Sequence, residues 1–331
     1  MKKIVNEVED MVMEMCEGIV KSRPNKLDFN KKYKIIKRKN IDKNKVSLIS
    51  GGGSGHEPAH SGFVGKGMLD AAVCGDIFAS PSIMQIYNGI LDTESNKGTL
   101  LIVKNYSGDC MNFDAASEMA MEDDDIDVEK VYVNDDIAVA DSIHTEGRRG
   151  VAGTIFVHKM AGASAERGDD LRTVKAIAEK TIKNVKSIGF ALTSCTVPAK
   201  GTPTFSIEDD EIEYGVGIHG ETGIERRKMA SAKELVYDMM LRLKNELKLK
   251  EEDEIAIMIN GLGATPIQEL YIVNKNVHDY CEYNKINIYK NFVGNYMTAI
   301  DMAGASITIL KLDDELKILL DAEVETLVFN W

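Results

Sequence analysis

Four residues of this chain combine reactive side chains with turn-forming neighbours. His56 lies in "GGGSGHEP" (Gly51–Pro58), Lys104 and Asp109 bound "KNYSGD", and His219 lies in "IHGETG" (Ile218–Gly223). Imidazole changes charge near neutral pH, so either histidine could serve as a general base. A neutral ring nitrogen can also form a covalent intermediate, which offers the second histidine a role as nucleophile. Asp109 could orient a histidine or share proton transfer with a substrate hydroxyl, and Lys104 could donate hydrogen bonds to a substrate oxygen. Each residue also has a plain structural role open to it. His219 could cap a strand end, Asp109 could belong to an ordinary turn, and Lys104 could snorkel from a strand. The residues alone favour an enzyme acting on a small molecule and leave its reaction open.

The glycine run fits none of the common loop signatures. No lysine follows it as a P-loop requires, and a dinucleotide fingerprint started at Gly51 meets His56 at its sixth position. A nucleophile elbow started at Gly52 also ends on His56 instead of glycine. What remains is a glycine turn that ends the apolar run Val46–Ile49 and delivers His56 and Glu57. The alternative is a tight strand-to-helix turn capped by Ser54. His60, His144, His158 and His278 lack such loops and read as structural. No group has metal-ligand spacing, so no metal site is expected.

Several elements are needed to position these residues. Apolar runs that read as strands cover 45–50, 99–106, 128–135, 187–193, 213–220, 254–261, 286–294 and 305–312. Helical patterns cover 154–167, 171–185 and 231–247, and the amino end "MKKIVNEVEDMVMEM" reads as an amphipathic helix. Strands alternating with helices predict an α/β protein of two lobes, each a largely parallel or mixed sheet flanked by helices. We place the boundary near Asn184, giving lobes 1–184 and 185–331. His56, the "KNYSGD" turn and His219 then all fall at the carboxyl ends of predicted strands, where open α/β sheets bind ligands.

Composition narrows the class. At 331 residues the chain exceeds one typical core, and 44% hydrophobic with 28% charged residues is ordinary globular composition. A net charge of −13 argues against general nucleic-acid binding, and the acidic run Glu122–Asp125 reads as a solvated helix end or loop. No apolar run approaches about eighteen residues, and the charged amino end is not a secretory segment. Five scattered cysteines without a C-x-x-C pair suit reduced thiols in the cytoplasm.

Five blocks taken in order carry a more specific signal. "GGGSGHEPAHSGFVGKGMLDAAVCGDIFASPS" (Gly51–Ser82), "LLIVKNYSGDCMNF" (Leu100–Phe113), "GRRGVAGT" (Gly147–Thr154), "GVGIHGE" (Gly215–Glu221) and "NGLGATP" (Asn260–Pro266) resemble the substrate-binding K subunits of bacterial dihydroxyacetone kinases. The similarity runs from about Val5 to the carboxyl terminus. The resemblance implies a two-lobed α/β subunit, usually a homodimer, that binds dihydroxyacetone covalently. By position, His219 matches the histidine whose ring nitrogen adds to the substrate carbonyl as a hemiaminal. His56 matches the general base and Asp109 the carboxylate sharing its work. Gly53, Ser54, Gly55 and His56, with Lys104 and Asp109, match the substrate-binding positions. The chain lacks the ATP-binding domain of single-chain relatives, so it looks like the separate subunit of the phosphotransferase-system-linked enzyme. There an L subunit holds ADP and magnesium, an M subunit rephosphorylates that ADP, and the K subunit binds no cofactor of its own. A paralogous class implies an alternative, a dihydroxyacetone-sensing coactivator of a transcription regulator.

Overall fold

The computed structural model describes residues 2–139 and 147–331; His144 lies outside them. In chain order the first half contains α1 (Met11–Ser22), β1 (Leu27–Asn30), β2 (Ile35–Arg38), β3 (Ser47–Ser54), β4 (Ala71–Ile77), α2 (Ile83–Asp92) and β5 (Thr99–Lys104). It continues through α3 (Ser107–Asp124), β6 (Val128–Val133), α4 (Thr154–Glu166) and α5 (Leu171–Asn184). The second half contains β7 (Val185–Ala191), β8 (Glu211–Tyr214), β9 (Glu225–Lys228), α6 (Ala232–Leu247) and β10 (Glu254–Gly261). It ends with α7 (Ile267–Tyr283), β11 (Asn287–Gly294), β12 (Gly304–Lys311) and α8 (Asp314–Asp321).

Two six-stranded mixed sheets result, in the orders β1-β2-β4-β3-β5-β6 and β11-β10-β12-β7-β8-β9. In the first, β4, β3, β5 and β6 run parallel, and β1 and β2 add an antiparallel edge. In the second only β10 and β11 are parallel. Both β3 and β5 are buried along their whole length, as central parallel strands covered on two faces must be. Helix α4, "TIFVHKMAGASAE", is buried at every residue from Thr154 to Ala165, because it is apolar or small nearly all round. A single apolar core runs from Leu48 and Ile102 on the first sheet, through α4 and α5, to Met258 and Leu310 on the second. Local signals set the helix starts: Asp170 accepts from Thr173 N ahead of α5, and Ser231 with Glu234 forms a capping box ahead of α6.

Four expectations change. The glycines do not end the strand, because β3 continues through Gly51, Gly52 and Gly53 to Ser54. The reason is crowding. A Cβ at Gly51 would lie 2.5 Å from Val73 O, and one at Gly53 would lie 2.6 Å from Ala79 N. These glycines admit a neighbouring backbone where a turn was expected. Ser54 caps nothing; its Oγ donates to Gly75 O at 2.7 Å, and a 3-10 turn at Ser61–Phe63 stands where the alternative put a helix. The expected strand 213–220 stops at Tyr214, and residues 215–224 form a loop instead, so His219 is not at a strand end. The amino-terminal helix begins only at Met11.

Two glycines give opposite tests of packing. Gly18 in α1 has nothing within 4 Å of a built Cβ, whereas a Cβ at Gly162 in α4 would lie 2.3 Å from Gly67 O. Gly18→Ala should stabilise by about 0.5–1 kcal/mol through helix propensity. Gly162→Ala should destabilise by about 1–3 kcal/mol through overpacking. Urea unfolding of both variants reads the two signs, and a neutral Gly162→Ala would refute the packing described for α4.

Candidate active site

The turn after β3 carries His56, and the opposite sheet holds it. Thr298 N donates to His56 O at 3.2 Å and Ile300 N donates to Gly55 O at 2.8 Å. The His56 side chain is fully buried and its Nδ1 donates to Thr298 O at 2.8 Å. A carbonyl can only accept, so this bond places the proton on Nδ1 and leaves the neutral ring's lone pair on Nε2. Phe78 stacks on the ring at 5.0 Å. Burial, reinforced by the facing His219 ring and the Lys104 ammonium, drives the His56 imidazolium well below the usual histidine range.

His219 reaches the same point from the loop between β8 and β9. Glu221 grips it twice: Oε1 accepts from Nδ1 at 3.0 Å and Oε2 accepts from the backbone N at 2.9 Å. Burial alone would raise the Glu221 carboxyl; the His219 hydrogen bond and charge, with Arg149 behind, outweigh it and hold it at about 2. The His219 Nδ1 therefore faces a carboxylate and keeps its proton, which leaves the lone pair of the neutral ring on Nε2. The two Nε2 atoms lie 3.0 Å apart. Tyr106 and Phe78 box the His219 ring edge-on at 4.7 and 5.1 Å. Two nitrogens 3.0 Å apart can share one proton, and an electrophile would have to reach His219 from the cleft side. Of the two rings, His219 is the stronger nucleophile, because its Nδ1 partner is an anion and that of His56 a neutral carbonyl.

Lys104 ends β5 and Asp109 lies in the first turn of α3, with their side chains paired at 3.3 Å and almost fully buried. A Cβ at Gly52, whose φ is +153°, would fall 2.3 Å from Lys104 Nζ, so glycine is what lets the ammonium reach the sheet. Asp109 Oδ1 is buried without a hydrogen-bond partner. A cleft of about 230 Å³ opens over these groups, lined by Gly53, Phe78, Ser80, Tyr106, Ser107, Gly108, Asp109 and His219. That is room for a ligand of a few heavy atoms.

The structure thus gathers His56, Lys104, Asp109 and His219: Gly53, Asp109 and His219 line the cleft, and His56 and Lys104 lie buried behind it. Ser54 and Gly55 stand back from it. Sequence reasoning missed Glu221, Phe78, Tyr106 and Thr298. Glu221 stood two residues from His219 in a stretch already singled out, whereas nothing local to Thr298 signals its role. His60 and His158 form a buried pair at 2.9 Å with Ser50 alongside, and His278 meets Asn291 on the surface. Among the described residues no cluster of three or more potential metal ligands occurs, and no helix is long and apolar enough to cross a membrane. A second cleft, of about 200 Å³, is lined by Arg23, Lys26, Arg38 and Lys66, but the last three are engaged in ion pairs with Glu325, Asp70, Glu166 and Glu323.

Fold and site define a two-lobed α/β protein that gathers paired imidazoles and a lysine–carboxylate pair beside a small cleft. Residues 17–328 match the Dak1 domain, and the chain belongs to that family. It is 50% identical over 315 residues to the dihydroxyacetone-binding subunit DhaK of Listeria innocua PTS-dependent dihydroxyacetone kinase 1, covering 95% of each chain. It is 40% identical to the corresponding PEP-dependent subunit of Escherichia coli, over 100% of this chain and 99% of that one. Among solved structures, the dihydroxyacetone kinase of C. freundii aligns with a TM-score of 0.88 at 38% identity, covering all of this chain and 60% of that one. The dihydroxyacetone kinase operon co-activator Dha-DhaQ aligns with a TM-score of 0.90 at 33% identity, covering 98% of each chain.

The buried histidines make stability depend on pH. Burial, with the Lys104 charge adding to it, pushes His158 down to about 3, so between roughly pH 6.5 and 3 the unfolded chain binds a proton that the folded chain refuses. Stability should therefore fall as pH drops below 6.5, by about 1.4 kcal/mol per unit for each such histidine. His158→Gln should remove one histidine's share of that slope, measured by urea unfolding at pH 5 and 7. An unchanged slope would refute a neutral, buried His158.

Proposed function

We propose that this chain is the dihydroxyacetone-binding subunit of a dihydroxyacetone kinase, holding its substrate as a hemiaminal on His219. The observation that carries this reading is the His219 ring, which lines the cleft with Nδ1 bound to Glu221 and Nε2 3.0 Å from His56 Nε2. A carbonyl carbon brought from the cleft forms a bond to Nε2 as the C=O π bond opens, and its oxygen takes up one proton from solvent, leaving a hydroxyl and an imidazolium. Glu221 then neutralises the resulting imidazolium. His56 Nε2 is the nearest base that can exchange that proton. Glycerol lacks a carbonyl and cannot form the bond, so discrimination comes from chemistry where a small polar ligand offers little surface to read.

Holding the carbon skeleton covalently also cuts the entropy cost of phosphoryl transfer. His56 and Asp109, with Lys104 hydrogen-bonding substrate oxygens, then accept the proton from the terminal hydroxyl as it attacks phosphorus. Gly53 supplies backbone beside the ligand, while Ser54 and Gly55 stand behind it, bonded to Gly75 and Ile300. The chain carries neither glycine signature of a nucleotide site, so we assign ADP and magnesium to a partner L subunit, with phosphoenolpyruvate as the ultimate donor through an M subunit. A homodimer in the cytoplasm completes the reading. The co-activator's matching fold supports a second reading, a dihydroxyacetone-sensing partner of a transcription regulator without kinase activity.

Partner dependence separates the two. The purified chain with ATP and magnesium alone should not phosphorylate dihydroxyacetone, and a phosphotransferase system with L and M subunits should restore turnover. No turnover with any such system would favour the co-activator; turnover with ATP alone would refute the separate-subunit reading.

Substitutions separate the histidines. With dihydroxyacetone labelled at its central carbon, the protein should convert the ketone ¹³C signal to that of a bound tetrahedral carbon. His219→Ala should abolish that signal and lose discrimination against glycerol. His56→Ala should retain some adduct and slow phosphoryl transfer by about 10²–10⁴-fold, with Asp109→Ala behaving like it. An adduct lost in His56→Ala but kept in His219→Ala would reverse the roles.

A further inference from the structure

Arg149 lies in the "GRRG" segment ahead of α4 and is fully buried, although it touches no part of the cleft. Its Nε donates to Asp136 Oδ2 at 2.8 Å, and Nη2 lies 2.7 Å from the same oxygen. Nη2 also donates to Gly215 O at 2.8 Å, and Nη1 makes a long 3.5 Å contact to Thr222 O. Gly215 and Thr222 bracket the loop that carries His219 and Glu221. A single guanidinium anchored in the first lobe thus holds both ends of a loop from the second. Asp136 is fixed in turn, since its backbone N donates to Arg149 O at 3.1 Å and its Oδ1 accepts from Ala138 N at 2.9 Å.

Gly217 shows how closely the parts converge. A Cβ there would lie 2.0 Å from Glu221 Oε2 and 2.7 Å from Arg149 Nη1, so the carboxylate and the guanidinium share the space that this glycine leaves empty. The planar fork of arginine fits these partners, because one edge takes Asp136 while the remaining N–H groups reach two carbonyls in fixed directions. A lysine ammonium could supply the charge but not that geometry. Exchanging Arg149 for an apolar residue would free Asp136, loosen both ends of the loop and remove the cation beside Glu221.

We propose that Arg149 is a positioning residue, which acts through the 215–222 loop and Glu221 to make His219 present Nε2, and not Nδ1–H, to the cleft. This rests on the reading of His219 as the nucleophile. Arg149 touches no substrate; it decides which ring nitrogen carries the proton. The charge it places beside Glu221 is one of those that keep the carboxylate ionised despite its burial.

The test uses the full chain labelled with ¹⁵N-histidine, in which His219→Ala assigns the His219 ring signals. In the unsubstituted protein Nδ1 should carry the proton. Arg149→Met should spread the proton over both nitrogens and slow adduct formation from ¹³C-labelled dihydroxyacetone by on the order of 10–100-fold, the usual cost of losing an orienting partner. Arg149→Lys, which keeps the charge, should fall between, and it serves as the test if Arg149→Met does not fold. A folded Arg149→Lys with the parent tautomer and adduct rate would overturn the proposal, whatever its melting temperature. An unsubstituted protein that makes no adduct would instead defeat the hemiaminal reading, and the tautomer comparison would still decide the role of Arg149.

Discussion

The two hydrogen bonds from Glu221 to His219 are the constraint on which the site depends. A neutral imidazole bears a lone pair on only one nitrogen, so a ring held in one orientation with its proton on the wrong nitrogen offers a donor where a lone pair is needed. One carboxylate bound to both Nδ1 and the backbone N fixes the tautomer and the ring plane together. Burying that carboxylate is costly unless it is paired, and here it has a histidine on one side and the Arg149 guanidinium on the other. The charges behind the ring are therefore as much a part of the chemistry as the ring itself.

A backbone constraint complements this electrostatic one. The site lies where two sheets meet, and the His56 turn is tied to residues 298–300 of the second lobe by bonds that no single lobe could make. The glycines of β3 permit the approach: Gly51 admits β4, Gly53 admits the chain at Phe78 and Ala79, and Gly52 admits the Lys104 ammonium. Any side chain at these positions would push apart groups that the chemistry needs within a few ångströms.

Much of this was legible in the sequence. The strand at 254–261 and the helices at 154–167, 171–185 and 231–247 lie within a residue or so of their expected ends, because their periodicity and capping residues agree. The residues that gather at the site were legible too, since His56, Lys104, Asp109 and His219 all stand in or beside stretches rich in glycine or polar residues. Errors arose where one signal had two physical causes. Glycine marks both a turn and a close approach, and in β3 the second applied. The run 213–220 alternates like a strand, yet a positive φ of 77° at Gly215 ends the pairing. Thr298 holds His56 with its carbonyl, a group every residue possesses, so no local pattern could mark it. Arg149 was visible within a quoted block, but its partners Asp136, Gly215 and Thr222 come together only through the fold.

The polar groups under the cleft show what this arrangement costs the fold. Lys104 is buried with Asp109 as its ion-pair partner, and its positive charge acts on His56, His60 and His158. Burial disfavours imidazolium at all three, and the nearby ammonium disfavours it further. The same pressure leaves His60 Nε2 and His158 Nδ1 buried without hydrogen-bond partners, a penalty that an apolar core would avoid. Local stability is sacrificed to keep an imidazole neutral at a pH where water would half protonate it. That exchange makes sense only where a neutral ring nitrogen is needed, and of the three rings His56 is the one whose Nε2 meets His219. The site is thus recognisable by the free energy the fold gives up to hold its residues ready, as well as by the residues themselves.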